Sequence, residues 1–256
     1  MTGGTISLLA REAVLAAFLV FCRVGGALML MPGIGGRHIP MRAKLFLALA
    51  LSFAFLPLVL DQIAPRVRMA GNGDFVFMIA GELLTVLLIG LLARLYVTGL
   101  QFATSFIAQA VGVSPMPGVS VEEDEQLPIL ATLIVFAATA LIFVADLHLE
   151  LVKGLVDSFA RVPPGSRLAV RPALVDLGDQ MSAVFLVAVR RCGPFILYSV
   201  MVNFAVGLIN KFTPQIPVYF VATPFVTAGG LLLLYVSVEP LLSAFLVAFS
   251  QWLKAG

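Results

Sequence analysis

Six long apolar segments, separated by polar stretches, restrict this chain to a helical architecture. Each segment is much longer than an ordinary β-strand of about 3–10 residues, so all six are predicted to be α-helices. The predicted fold class is therefore all-α, with helical hairpins associated with a membrane. The segments are Leu8–Met31, Ala43–Leu60, Phe75–Val111, Pro128–Phe159, Ala173–Ile209 and Val218–Leu253.

The composition supports a membrane protein and excludes a nucleic-acid-binding one. Hydrophobic residues make up 61% of the chain and charged residues only 12%, whereas soluble domains have about 45–50% and about 25%. A net charge of +2 is too small for the basic surface that binds nucleic acid. Cys22 and Cys192 lie within apolar segments, which favours buried free thiols over a disulfide.

Two segments are too long to be simple membrane spans. Phe75–Val111 and Ala173–Ile209 both exceed the ~20 residues that cross a hydrocarbon core of about 30 Å. We therefore predict helices that are kinked, as at Pro194, or that extend beyond the bilayer within an assembly. Arg190 and Arg191 interrupt the second of these segments, and charges at such positions are expected to face protein or water.

The third segment carries glycines and polar side chains at helical spacing. Gly81 and Gly99 share one face and Gly90 lies opposite, so small residues would admit close neighbours on two sides. Five polar residues spaced 4, 3, 4 and 4 apart form a polar stripe on one face. They either form hydrogen bonds between helices or line a water-filled conduit. These pore-lining candidates are Arg94, Thr98, Gln101, Ser105 and Gln109.

The polar stripe leads into residues 112–126, whose prolines and glycines predict a non-helical loop. Four consecutive acidic residues end this loop, where they suit the N-terminus of the helix predicted from Pro128. Irregular backbone at membrane depth is tolerated only when protein buries it or it lines a watery cavity. Met116 suits a deformable closure there, because methionine fills irregular gaps.

A second polar segment joins the last two apolar segments. Pro214 and Pro217 lack an N–H and clash with a continuing helix, so the helix must end near Lys211 and restart after Pro217. This predicts a helical hairpin with a sharp polar tip. The tip residues are Asn210, Lys211, Pro214, Gln215 and Pro217. Residues 32–40 are similarly predicted to be a glycine- and proline-rich turn, and residues 61–74 a polar connecting loop.

Three stretches carry a resemblance to a known family. Asn210-Lys211-Phe212-Thr213-Pro214-Gln215, followed by an apolar run and Pro224, resembles the C-terminal signature of the FliR family. Arg23-Val24, Pro32, Gly35, Ile39-Pro40 and Arg42 match its N-terminal pattern. The run from His148 to Gly165 also resembles it. These are export-gate proteins of flagella, related to the SctT subunits of type III secretion systems.

The resemblance implies a subunit of the flagellar type III protein-export gate, in the bacterial inner membrane at the flagellar basal body. It implies FliP-like, FliQ-like and FlhB-like partners, and unfolded flagellar subunits as the secreted substrates. Residues 1–172 resemble FliP and residues 173–256 resemble FliQ. The resemblance also implies that residues 112–126 form the plug loop of the closed gate, although this chain lacks the aromatic residues and the Asp-Pro that are common in the family there. The plug-loop residues are Gly112, Ser114, Pro115, Met116, Pro117 and Gly118.

No enzyme motif is present in the sequence, and no cofactor is expected. Asp146, His148 and Glu150 raise the possibility of a metal site, but on a continuous helix only the two acids would share a face. We therefore predict no metal site. The alternative function is a polytopic secondary transporter of a small solute, since proline-broken helices and buried charges also occur in that class. Its inverted repeats are not evident in this sequence.

Overall fold

The computed structural model describes residues 2–36, 39–113, 128–165, 170–215 and 217–255. These residues form seven α-helices and no strand, which confirms the all-α prediction. The helices are α1 (Thr2–Leu30), α2 (Met41–Met69), α3 (Asn72–Val111), α4 (Ile129–Val144), α5 (Leu147–Arg161), α6 (Val170–Phe212) and α7 (Val218–Ala255). By length and apolarity, α1, α2, α3, α6 and α7 are each able to cross a membrane, and α4 with α5 would make a sixth span.

The prediction of a polar loop over residues 61–74 is wrong. Helix α2 continues to Met69, with Pro57 and Pro65 inside it, and only Ala70 and Gly71 separate it from α3. A proline removes one backbone hydrogen bond, which tertiary packing can offset. Here the buried row that includes Val59, Ile63 and Val67 continues through the prolines and packs into the core.

The prediction of a single helix over Pro128–Phe159 is also wrong. This segment forms two helices, α4 and α5, because Asp146 adopts a left-handed backbone conformation with φ of 56° and ψ of 15°. A left-handed residue cannot continue a right-handed helix, and aspartate is among the few non-glycine residues that tolerate it. The sequence had suggested that Asp146 and Glu150 share one face of a continuous helix. They do not, because α5 begins only after Asp146.

The chain divides into two compact units. Unit 1 contains Met1–Leu95, Asp146–Gln180 and Leu253–Gly256, and unit 2 contains Tyr96–Ala145 and Met181–Trp252. The predicted boundary at residue 172 is of a different kind, because it separates the part that resembles FliP from the part that resembles FliQ. That boundary stays a prediction.

The core of unit 1 is a packed pair of helices, α1 and α2, with α5 added to it. Buried residues recur every three or four positions on each helix, which places them on one face. Lipid tails are as apolar as these side chains, so close packing and polar contacts hold the pair in a membrane. The core includes Leu19, Val20 and Val24 of α1, Phe55, Val59 and Ile63 of α2, and Phe159 of α5.

In unit 1, the predicted role of Gly90 is confirmed. A Cβ atom at Gly90 of α3 would lie 2.5 Å from Cβ of Leu30, so only glycine permits this approach of α1. Gly26 similarly admits Val86, a contact that the sequence reading missed. A Cβ atom at Gly81, in contrast, would meet no described atom within 4 Å.

In unit 2, α3 packs against α6 and α7 through glycines. Gly99 of α3 lies directly against Val184 of α6, which confirms its predicted role. Gly230 of α7 admits the backbone of Val111, since an added Cβ would lie 2.9 Å from its Cα. Both cysteines are free, and Cys192 is buried as predicted, whereas Cys22 is partly exposed.

Candidate functional site

The polar stripe lies to the side of the face that α3 buries. Tyr96, Leu100, Ala103 and Ile107 are buried, whereas the stripe residues Arg94, Thr98 and Gln109 are exposed. Gln101 and Ser105 are partly exposed. The chain therefore does not use most of this stripe to build its own core.

Some stripe residues nevertheless interact within the chain. Arg94 and Thr98 each have an interaction partner. The hydroxyl oxygen of Ser105 is buried and has no hydrogen-bond partner among the described residues. A buried hydroxyl without a partner is unfavourable by roughly 1–3 kcal/mol, so Ser105 is a position where a neighbouring group would add stability.

Helix α3 ends in a glycine cap at the start of the proposed plug loop. Gly112 has φ of +78°, its N–H donates to the Gln109 carbonyl at 3.0 Å, and the Val113 N–H donates to the Ala108 carbonyl at 3.0 Å. These are the two hydrogen bonds of a Schellman motif. In unit 2 an added Cβ on Gly112 would also lie 3.4 Å from Oγ1 of Thr227. The structure thus fixes where the loop leaves the helix.

The remaining residues of the plug-loop prediction lie outside the described part of the chain. They are Ser114, Pro115, Met116, Pro117 and Gly118.

The hairpin tip forms where the prolines predicted it. Helix α6 ends at Phe212 and α7 begins at Val218. Thr213 caps the end of α6, because its N–H and its hydroxyl both donate to the Ile209 carbonyl at 2.9 Å. All five tip residues named from the sequence are exposed: Asn210, Lys211, Pro214, Gln215 and Pro217.

The two helices of this hairpin expose large apolar side chains over much of their length. A soluble monomer rarely exposes an apolar surface of this kind, so lipid or partner proteins must cover it. A hydrogen bond joins the two helices: the Tyr198 hydroxyl of α6 donates to the Val226 carbonyl of α7 at 2.5 Å, beside Gly229. The most exposed residues include Met201, Phe204, Phe220, Phe225, Leu232 and Tyr235.

A buried ion pair in unit 1 was missed by the sequence analysis. Arg23 of α1 is fully buried and Glu82 of α3 is 1% exposed. Nε and Nη2 of Arg23 donate to the two carboxylate oxygens of Glu82 at 2.5 and 3.0 Å. The signal was available, because Glu82 is the one acidic residue within the apolar segment Phe75–Val111 and a charge at such depth requires a partner.

Arg23 also binds the end of α5. Its Nη1 donates to the Ser158 carbonyl at 3.0 Å and its Nη2 to the Val162 carbonyl at 2.8 Å. The guanidinium carbon lies 4.2 Å from the centre of the Phe159 ring, a cation–π contact. Cations are favoured at helix C-termini, where carbonyl groups lack helical partners. One side chain therefore joins α1, α3 and α5.

A second arginine binds the turn after α5. Nη1 of Arg66 donates to the Pro164 carbonyl at 2.6 Å. The following residue, Gly165, has φ of +76°, and an added Cβ would lie 3.1 Å from Met78. The run from His148 to Gly165, singled out by sequence, is thus held by α1, α2 and α3 within unit 1. Among the described residues, no group of three His, Cys, Asp or Glu side chains is arranged to hold a metal.

These features define a polytopic helical membrane protein with one polar helix face and a proline-tipped hairpin. The profile of a family described as "Bacterial export proteins, family 1" matches residues 14–252. The chain belongs to this family, which is that of FliR.

Three relatives illustrate the similarity, and each is named "Flagellar biosynthetic protein FliR". The protein of Caulobacter vibrioides is 30% identical over 227 residues, which is 88% of this chain and 89% of the relative. The protein of Escherichia coli K12 is 25% identical over 89% of this chain and 85% of the relative. That of Aquifex aeolicus is 28% identical over 88% and 86%.

Proposed function

We propose that this chain is a subunit of the flagellar type III protein-export gate, located in the bacterial inner membrane at the basal body. In this role it helps to build the channel through which unfolded flagellar subunits leave the cell. Membership of the export family and similarity to relatives named FliR support the flagellar role. We assign the chain no catalytic activity, because its proposed work is to form part of a conduit.

The observation that carries the proposal is the position of the polar stripe. Its exposed members lie away from the buried face of α3, on a side of the helix that can face a path formed with other subunits. Polar side chains on a membrane helix are favoured where they contact water or protein instead of lipid. The stripe contributes Thr98, Gln101, Ser105 and Gln109 to that path, with Arg94 at one end.

The plug is proposed to begin at Gly112. The glycine cap ends α3 abruptly, so the chain leaves the helix at the end of the stripe. The loop from Ser114 to Gly118 would then cross the path, with Met116 as a deformable side chain that packs against different neighbours.

The proposed partners are FliP-like, FliQ-like and FlhB-like subunits. Residues 1–172 are proposed to occupy a position like that of a FliP subunit, and residues 173–256 one like that of FliQ. The exposed apolar surface of the α6–α7 hairpin supports an assembly of this kind, because neighbouring helices would cover it.

Cysteine cross-linking tests the path directly. In a chain with Cys22 and Cys192 replaced by alanine, Gln101→Cys or Gln109→Cys is introduced, and an export substrate with one cysteine is stalled during secretion. We expect disulfide cross-links to the stalled substrate from both positions. Ala110→Cys is the matched control, since Ala110 is partly exposed but lies nine residues from Gln101, on the opposite side of α3. Cross-linking at Ala110 alone would overturn the proposal.

The alternative of a small-solute transporter finds no support in the family to which the chain belongs. The two functions differ in behaviour on purification. A gate subunit should co-purify with partners, whereas a stable, functional, monodisperse monomer would favour the transporter.

A further inference from the structure

A basic groove lies between α6 and α7 in unit 2. Its volume is about 550 Å³, within the range of ligand-sized sites. Arg190 and Arg191 of α6 provide its charge, and Ser243 and Gln251 of α7 add polar groups. Alanine and valine side chains form the rest of its wall. The groove therefore offers two cations and hydrogen-bonding groups beside an apolar surface.

The two arginines of the groove are not used by the described part of the chain. Both are exposed, and neither has an ion-pair or hydrogen-bond partner among the described residues. The acidic residue of α7, Glu239, lies one helical turn nearer the tip than Ser243 and does not line the groove. Two arginines that line one groove favour an anion with several acceptor oxygens, such as a phosphate.

The groove lies one bilayer thickness from the hairpin tip. From Arg191 to Phe212 is 21 residues, or about 31 Å of helix at ~1.5 Å per residue. No charged residue occurs between Arg191 and Lys211, or between Val218 and Glu239. Towards its N-terminus α6 carries Asp176 and Asp179. Only the half of α6 near the tip therefore fits a hydrocarbon core of about 30 Å.

An aromatic cluster marks the same end of the hairpin. Trp252, the single tryptophan of the chain, follows the groove residue Gln251. Its ring centre lies 5.5 Å from that of Tyr96 and 5.6 Å from that of Phe249. Tryptophan and tyrosine are enriched at membrane–water interfaces. Because Trp252 directly follows a residue that lines the groove, the aromatic cluster is independent support for placing the groove at headgroup depth.

We propose that the Arg190–Arg191 groove binds the phosphate headgroup of an anionic phospholipid, with an acyl chain against the valines and alanines of its wall. Basic pockets between membrane helices bind anionic headgroups in this manner. The proposal concerns lipid recognition by this chain and holds whether or not the export role is correct.

Native mass spectrometry of the full-length protein, purified with any co-expressed partners, tests the proposal. Phosphatidylglycerol is the anionic probe and phosphatidylcholine the zwitterionic one. We expect phosphatidylglycerol to be retained preferentially, and the double variant Arg190→Gln/Arg191→Gln to lower its retention about tenfold, a typical loss for two charge-assisted contacts. Arg190→Lys/Arg191→Lys, which keeps both charges, should recover part of the binding.

The control removes two exposed cations of α5 in unit 1, as Lys153→Gln/Arg161→Gln, and should leave lipid retention unchanged. Equal retention of both lipids, or an equal loss in the control, would overturn the proposal. Displacement of phosphatidylglycerol by millimolar glycerol 3-phosphate would assign the groove to free phosphate instead. Loss of a co-purifying subunit with unchanged lipid binding would assign the arginines to a partner's carboxylates.

Discussion

Arg23 and Glu82 form a two-point ion pair that is almost completely buried, with donor–acceptor distances of 2.5 and 3.0 Å. Removing one partner would leave a buried, uncompensated charge, a change that destabilises proteins by about 3–5 kcal/mol. We expect Arg23→Met to lower the amount of folded protein sharply and to reduce the thermal unfolding midpoint of the purified assembly.

Two further variants separate loss of the pair from loss of a side chain. Arg23→Met/Glu82→Leu removes both charges and should recover much of the stability. Arg68→Gln removes an ion pair with Glu12 in which the Arg68 side chain is 62% exposed, and should change stability little. If Arg23→Met is as stable as Arg68→Gln, the buried pair does not hold unit 1 together.

The glycines of α3 provide a matched pair of substitutions. Gly90→Ala would place a methyl group 2.5 Å from Leu30 and should destabilise the protein by about 1–3 kcal/mol through overpacking. Gly81→Ala meets no described atom within 4 Å and should stabilise the helix by about 0.5–1 kcal/mol. Thermal unfolding of the two variants would measure the difference, and shifts in the same direction would contradict it.

The cap at Gly112 depends on its left-handed backbone. Gly112→Ala should be unfavourable by about 1–2 kcal/mol, because a Cβ atom clashes in this conformation, whereas Gly112→Asn should be milder. If Gly112 sets the start of the plug, motility should follow the same order, with alanine the more defective. Equal motility for both variants at equal protein levels would separate the cap from gate function.

The prolines at the hairpin tip are expected to enforce the turn. Replacing both Pro214 and Pro217 with alanine removes the block to helix continuation, so α6 and α7 should extend and assembly should be impaired. Gln215→Ala is the control, since it changes an exposed tip residue that does not restrict the backbone. Complex yield and motility report the effect, and no difference between the variants would make the tip only a permissive connection.

The loop after α3 is expected to contribute to the seal of the gate. Shortening Ser114–Ser120 should loosen closure without abolishing assembly. Leakage of ions or small solutes across the inner membrane, in cells that express the variant complex, is the measurement. An assembled deletion variant as tight as the wild type would show that another element closes the path.

Local backbone chemistry explains which parts of the fold were predictable. Pro214 and Pro217 are close enough in sequence to stop a helix by themselves, so both ends of the tip were found. Pro65 did not stop α2, because residues such as Ile63 and Val67 gain packing from distant parts of unit 1, information that no local pattern contains. The break at Asp146 depends on one backbone conformation that aspartate adopts only sometimes.

The candidate site likewise has features that the sequence predicts and features that only the structure shows. Spacing alone placed the stripe on one face of α3, but not which of its members the chain would bury. Spacing also could not join Arg23 to Glu82, since 59 residues separate them. Arg190 and Arg191 were recognised as unusual from the sequence, while the groove they form with Ser243 and Gln251 required the structure.

The separation of Arg23 from its partners along the sequence has a consequence for how the nascent chain inserts into the membrane. At about 5–20 residues per second, Glu82 leaves the ribosome roughly 3–12 seconds after Arg23. The Ser158 and Val162 carbonyls follow 135 and 139 residues after it. Until then α1 carries a guanidinium that costs about 2.5–3.5 kcal/mol at the centre of a membrane helix. The nascent α1 is therefore expected to remain at the bilayer surface or beside the insertion machinery. It should reach its final depth in the membrane only after α3 has been synthesised.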